Sequence, residues 1–253
     1  GIKDFCYLVN PYFPPPKMVE QFHYFFQPLL TQYPSGMSVQ KLCAGKMFQI
    51  DEAYVLAGNG AAELIRVLGR VTRGRTLTLL PSFHEYIRCF DGCEIVPFQT
   101  RGVDFAPTAE QIIQALEGCD NLILVNPDNP SGHFFTCEEL TKILDHCEKA
   151  GKRCVVDESF ADFAEPQVRY TLLSNDTLTR YPHLAVVKSI SKSYGVPGLR
   201  LGVIASSDRD LLARMREELP VWNINSFGEY FFQIYGLYAS AYAKACDQIA
   251  QRR

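Results

Sequence analysis

Lys192 follows the apolar run Leu184-Ala185-Val186-Val187 and sits among small hydroxyl residues in Ser189-Ile190-Ser191-Lys192-Ser193, with Arg200 eight positions on. An isolated lysine is ordinarily solvated, but this one is delivered at the end of an apolar strand. The same residues fit the S-x-x-K pattern of serine acyl-transfer chemistry, although that pattern's S-D-N and K-T-G companions are absent. A second strand, Val155-Val156, runs straight into Asp157 and Glu158. A carboxylate at the end of a central strand is costly to bury unless it meets a cation or a good donor, the simpler alternative being a helix N-cap. Asn126-Pro127-Asp128-Asn129-Pro130-Ser131-Gly132 follows the strand Leu122-Ile123-Leu124-Val125. Its composition is that of a turn, and its place at a strand's carboxyl end is where open α/β sheets collect ligands. Gly58-Asn59-Gly60-Ala61-Ala62-Glu63 lies between an apolar strand and an amphipathic helix. Such a turn offers free amides and a helix dipole to a phosphate; Glu63 stands where a dinucleotide fingerprint has its third glycine.

These residues need a scaffold of alternating strands and helices. Apolar, β-branched runs predict strands at Ala53–Ala57, Thr76–Leu80, Glu94–Phe98, Asn121–Val125, Cys154–Asp157, Ala185–Ser189 and Gly202–Ala205, making one seven-stranded, largely parallel sheet. Thr108 with Gln111 and Thr136 with Glu139 have capping-box spacing, and Gly118 and Gly151 stand where those helices should end. Pro14, Pro15 and Pro16 predict an extended arm ahead of a helix from Lys17. The stretch from Ser226 to Arg253 reads as one long helix. There is no internal repeat or low-complexity linker.

The 253 residues are 47% hydrophobic and 21% charged, which places the chain among ordinary folded proteins. A formal net charge of −3 lacks the basic excess of a nucleic-acid binder. With no apolar run of membrane-spanning length and no signal-like amino terminus, the expectation is a soluble, cytoplasmic protein with no membrane partner. Nine cysteines without a C-x-x-C pair predict reduced thiols, not a disulfide framework or a metal site.

In order, the glycine turn, the N-P-D-N-P-S-G loop, the strand-end aspartate and the Ser-x-Ser-Lys segment followed by arginine resemble the fold-type I, class I/II pyridoxal-phosphate (PLP) aminotransferases. The resemblance is nearest to the branch of histidinol-phosphate aminotransferase and threonine-phosphate decarboxylase. It runs from DFCYLVNPYFPPP through PSFHEY and NPDNPSG to SKSYGVPGLRLG and PVWNIN, nearly the whole chain. It implies an α/β, three-layer αβα, aspartate aminotransferase-like large domain. By this likeness Lys192 is the Schiff-base lysine, and Asp157 faces the cofactor's pyridine nitrogen and keeps it protonated, making the ring an electron sink. Asn129 would donate to the phenolic oxygen and Phe83 would stack on the ring. Gly60, Ala61, Ala62, Ser189, Ser191 and Arg200 would hold the phosphate. Tyr33 would reach the partner subunit's site, implying a homodimer. Asn10 and Tyr86 are the substrate-binding candidates.

Three departures from the family pattern bear on the reaction. Phe160 replaces the tyrosine that also meets the phenolic oxygen, and Ala62 replaces an acid frequent in aminotransferases; both point toward decarboxylase-like members. The family's carboxylate-binding arginine has no counterpart before Arg253, so a small C-terminal domain is expected to be missing. The expected division is residues 1–30 for the arm and first helix, 31–225 for the PLP-binding large domain, and 226–253 for a helix leading toward the absent domain. Transamination of a small amino acid or amine, one carrying a phosphate or phosphonate, is the default expectation. Decarboxylation is the close alternative, and a catalytically silent dimerisation or regulatory module is a third.

Overall fold

A computed structural model describes residues 8–252; residues 4–7 of the family-like opening, Cys6 among them, and Arg253 lie outside the described residues. Seven strands form one sheet: β1 (Val55–Asn59), β2 (Gly74–Leu80), β3 (Cys93–Gln99), β4 (Asn121–Val125), β5 (Arg153–Asp157), β6 (Leu184–Ser189) and β7 (Leu201–Ala205). Their order is β1-β7-β6-β5-β4-β2-β3, and β7 runs antiparallel to both its neighbours while the other pairings are parallel. All seven expected strands are present, with β1 displaced two residues toward the glycine turn because Glu52–Tyr54 forms a 3-10 turn first.

The helices are α1 (Pro16–Tyr24), α2 (Phe26–Thr31), α3 (Met37–Phe48), α4 (Ala61–Val71), α5 (Glu85–Cys89), α6 (Ala109–Ala115), α7 (Cys137–Lys149), α8 (Asn175–Arg180), α9 (Arg209–Glu218), α10 (Ser226–Ile234) and α11 (Ala239–Ala250). Both capping boxes form, Thr108 with Gln111 and Thr136 with Glu139, and Gly118 and Gly151 take positive φ just past the ends of α6 and α7. Pro16 occupies the first turn of α1, where its missing N–H costs nothing.

Strand alternation sorts the core into two faces. Leu122, Leu124, Cys154, Val156, Leu184 and Val186 pack with helices α6, α7, α10 and α11. Ile123, Val125, Val155, Ala185 and Val187 pack with α4, α5 and α9. The central strands are therefore apolar on both sides, as a sheet covered twice requires.

The expected single helix from Ser226 onward is broken. A 3-10 turn at Tyr235–Tyr238, containing Gly236, separates α10 from α11. The break re-aims α11 so that the Tyr242 ring stacks on Tyr194 at 4.1 Å, an aromatic contact that a straight helix does not guarantee. The eight described cysteines are free thiols. No helix among the described residues is long and apolar enough to cross a membrane.

Candidate active site

The carboxyl ends of β4, β5 and β6 and the amino terminus of α4 bring the candidate residues to one edge of the sheet. At that edge β7 passes so close to α4 that a Cβ on Gly202 would lie 2.4 Å from the Ala61 amide nitrogen. Gly60 caps α4 with φ +80°, a conformation that favours glycine, and a Cβ there would meet Arg200 Nη2 at 2.7 Å. The Arg200 guanidinium thus rests over the glycine turn. The amides of Ala61 and Ala62 begin α4 without a side-chain cap. Ser189 Oγ accepts from the Ser191 amide at 3.3 Å, and Ser191 Oγ is buried with no hydrogen-bond partner. A buried hydroxyl with no partner beside free amides and a guanidinium is a cradle built for an anion.

Glu63, the residue that departs from a dinucleotide fingerprint, has a structural task. Its carboxylate accepts from the Asn59 amide at 2.7 Å and from Asn223 Nδ2 at 3.2 Å, while Asn223 also donates to the Ala57 carbonyl. Glu63 therefore closes the turn and ties it to the PVWNIN segment.

Asp157 ends β5 and is 3% exposed. Its Oδ1 accepts from the Ser159 amide at 2.8 Å and its Oδ2 from the Tyr86 hydroxyl at 2.8 Å. Burial pushes the Asp157 carboxyl up, against the hydrogen bonds from Ser159 and Tyr86 and the charge of Lys188. Desolvation and the Asp157 charge hold the Tyr86 hydroxyl well above the usual phenol range, which keeps it a donor. Tyr86 is 1% exposed, and its hydroxyl is engaged by Asp157. Phe83, three residues earlier, is 38% exposed and free to cover a ring.

Asn10, the other substrate candidate, is also buried and committed. Its Nδ2 donates to the Ser193 carbonyl at 2.8 Å, its amide donates to the Lys192 carbonyl at 3.0 Å, and its Oδ1 accepts from the Tyr12 amide at 2.9 Å. The arm is thereby pinned against the lysine turn. Gly195 allows the contact, since a Cβ there would come 1.8 Å from the Phe13 carbonyl oxygen.

Lys192 occupies the turn after β6, half-buried, and no hydrogen bond joins its Nζ to Ser189 Oγ among the described residues. A serine nucleophile needs its base within hydrogen-bond reach, so the acyl-transfer reading loses its geometry. Asn129 and Phe160 line a cavity of about 720 Å³ together with Tyr12, Phe134, Phe163 and Glu165. Tyr33 is 78% exposed and stacks on Trp222 at 4.3 Å, at the surface and away from this chain's own cavity lining.

Sequence reasoning missed Lys188 and Asp162, and noted Glu158 only as an acid beside Asp157. Lys188 is 2% exposed and pairs with Asp162 at 2.7 Å, and Glu158 accepts from Thr171 and the Leu172 amide at 2.6 and 2.5 Å. The available signal was a lysine inside the otherwise apolar strand LAVVKS, which must be paired if it is buried.

Residues 14–231 match the family described as "Aminotransferase class I and II". The chain belongs to that family. It is 33% identical over 254 residues to CMP-5'-(3-aminopropyl)phosphonate synthase of Streptomyces rubellomurinus, covering 99% of this chain and 40% of that protein. It is 32% identical over 247 residues to L-serine phosphate decarboxylase of Sulfurospirillum multivorans, covering 92% and 62% respectively. A decarboxylase structure from the same Sulfurospirillum superposes with a TM-score of 0.83 at 29% identity, covering 96% of this chain and 65% of that one. The chain thus spans 40% and 62% of the length of these two curated relatives. Family members use pyridoxal phosphate. The free amides, the partnerless Ser191 hydroxyl and Arg200 suit its phosphate, and the buried carboxylate of Asp157 suits a protonated ring nitrogen.

Proposed function

We propose that this chain is the cofactor-binding body of a pyridoxal-phosphate enzyme acting on a small amino acid that carries a phosphate or phosphonate. In this reading Lys192 is the covalent anchor of the cofactor. The bound cofactor supplies a sink for the electron pair left when a bond to the substrate's α-carbon breaks. Asp157 holds the compensating charge at the ring nitrogen, and Tyr86 fixes the orientation of that carboxylate. Ser189, Ser191, Arg200 and the first amides of α4 hold the phosphate, Phe83 covers the ring, and Asn129 donates to the phenolic oxygen.

The observation that carries the reading is the convergence of the anion cradle, the buried carboxylate of Asp157 and Lys192 at one sheet edge. Loss of the α-carboxylate is the favoured reaction. Phe160 stands where the resemblance places an aminotransferase tyrosine, and one relative is named L-serine phosphate decarboxylase. Another is named for an aminopropyl phosphonate, whose amine carries no carboxylate. Transamination is the second reading, favoured by the family description itself. Both reactions fit a cytoplasmic homodimer in which Tyr33 reaches the neighbouring site.

The test has two parts. Borohydride reduction of the loaded chain followed by peptide mapping should place a pyridoxyl group on Lys192; a label on another lysine overturns the assignment. O-Phosphoserine and O-phosphothreonine offered to the loaded protein should yield carbon dioxide and an amine, whereas keto-acid formation would favour transamination.

A further inference from the structure

Beneath the turn that carries Lys192 lies a cluster of charge that the proposed chemistry does not use. By strand alternation Lys188 continues the row of Leu184 and Val186, so its side chain enters the face shared with α7, α10 and α11, opposite to Ser189. An ammonium there would be expelled unless compensated. The compensation is Asp162 Oδ2 at 2.7 Å, with Glu158, 1% exposed, on the same segment. Asp162 comes from the segment that follows Asp157, so the pair joins the end of β5 to the end of β6.

Asp162 Oδ2 has a second partner. Ser193 Oγ, on the residue immediately after Lys192, donates to it at 2.9 Å, and Ser193 Oγ in turn accepts from the Tyr242 hydroxyl of α11 at 2.8 Å. Ser193 is 0% exposed. The chain Lys188–Asp162–Ser193–Tyr242, in which Asp162 alone keeps a partly exposed side chain, therefore grips the lysine turn from below, while Asn10 grips its backbone from the arm side. Between Lys188 and Ser193 the chain has only four residues, and Lys192 is the last of them.

We propose that the Lys188–Asp162 ion pair, acting through the Ser193 hydroxyl, is the positioning device that sets the reach and orientation of Lys192. Lys188 never meets substrate or cofactor in this account; it fixes the direction of Asp162, and Asp162 fixes the turn. A charge-assisted hydrogen bond is directional, and one made on the neighbour of a reactive residue restricts that residue's backbone more tightly than apolar packing does. Inference of the pair's purpose rests on the reading of Lys192 as the reacting amine, but its test does not require the cofactor.

The measurement is the rate at which acetic anhydride acylates Lys192 in the full chain. It is read by mass spectrometry of the peptides as a ratio to the exposed Lys149 in the same sample. Ser193→Ala removes the link while leaving the ion pair. Asp162→Asn keeps a polar group beside Ser193 but removes the charge that binds Lys188. Each is expected to change the ratio by about threefold or more in the same direction, and the double variant should change it no further than the larger single, the non-additivity expected of residues acting in series. Ser193→Ala loses a buried hydrogen bond to a charged group and should melt below the parent. Tyr181→Phe, which loses a like bond to Asp145 at the opposite end of β6, separates positioning from general loosening, since it should leave the Lys192 ratio at the parent value. Should Asp162→Asn fail to fold, Tyr242→Phe, which removes the hydroxyl donated to Ser193, replaces it and should move the ratio in the same direction. An unchanged ratio in Ser193→Ala, or single-variant effects that multiply in the double variant, would overturn the proposal. A pyridoxyl label away from Lys192 would instead overturn the functional reading and leave these ratios standing.

Discussion

Tyr86 Oη lies 2.8 Å from Asp157 Oδ2, joining the short helix after β2 to the last residue of β5 across 71 positions of sequence. The bond satisfies a buried phenol and one oxygen of a buried carboxylate together, and it leaves the carboxylate directed by the fold before any cofactor arrives. Tyr86→Phe should remove it without opening a cavity. A hydrogen bond to a charged group is worth about 1.5–3 kcal/mol, so the cofactor-free chain should lose stability in that range by urea denaturation. An unchanged midpoint would show that the carboxylate finds another donor.

Asp157 also makes stability depend on pH. Burial raises its folded-state pKa above the unfolded value, so its ionisation opposes folding. That penalty is absent below the ordinary aspartate range and grows as pH rises from there through the raised folded value. Without cofactor, Asp157→Asn should therefore melt higher than the parent at neutral pH, with the gap closing as pH falls below the ordinary aspartate range. With cofactor the ranking of activities should reverse, turnover falling about 100-fold or more, some 2.7 kcal/mol of transition-state stabilisation. A gap that widens in acid would contradict the sign.

Gly60→Ala tests the anion cradle. Its new Cβ would displace the Arg200 guanidinium, which is the end of a flexible side chain, and it would strain a backbone at φ +80° by about 1 kcal/mol. Affinity for pyridoxal phosphate should fall about tenfold, equivalent to about 1.4 kcal/mol, while affinity for unphosphorylated pyridoxal stays near the parent value. Equilibrium dialysis with both compounds distinguishes the outcomes, and equal loss for both would place the phosphate elsewhere.

Phe160→Tyr supplies the hydroxyl that the resemblance to the family pattern places here. Phe160 lines the cavity beside Asn129, so the added donor should gain about 0.5–1.5 kcal/mol toward the cofactor. Titration of the bound chromophore should show tighter binding by a few fold; weaker binding would mean that the ring faces away.

Tyr33 stacks on Trp222 at the surface, where the two rings stand beside the exposed Val221. Tyr33→Ala should change the stability of the isolated chain by less than about 0.5 kcal/mol, as exposed positions do. Self-association in sedimentation and retention of the cofactor should weaken together if the residue completes a neighbouring site. Weakening of neither would detach Tyr33 from assembly.

Wherever the deciding physics is local, the sequence by itself determined the outcome. The apolar runs at Asn121–Val125 and Leu184–Ser189 had to be buried on both faces, and Thr108 with Gln111 and Thr136 with Glu139 satisfied their helix ends within four residues. The order of the glycine turn, the strand-end Asp157 and Lys192 was legible for the same reason, because short motifs carry their own backbone requirements. Tertiary structure alone decided which polar side chains would meet. Asn10 spends its side-chain amide on Ser193, 183 residues away, and Tyr86 spends its hydroxyl on Asp157, pairings that neither motif specifies. The break between α10 and α11 likewise brings Tyr242 to Tyr194, and Lys188 is buried where Asp162 is close enough to compensate it. Such contacts depend on where the sheet order places distant segments, and helix periodicity or turn chemistry contains no term for that.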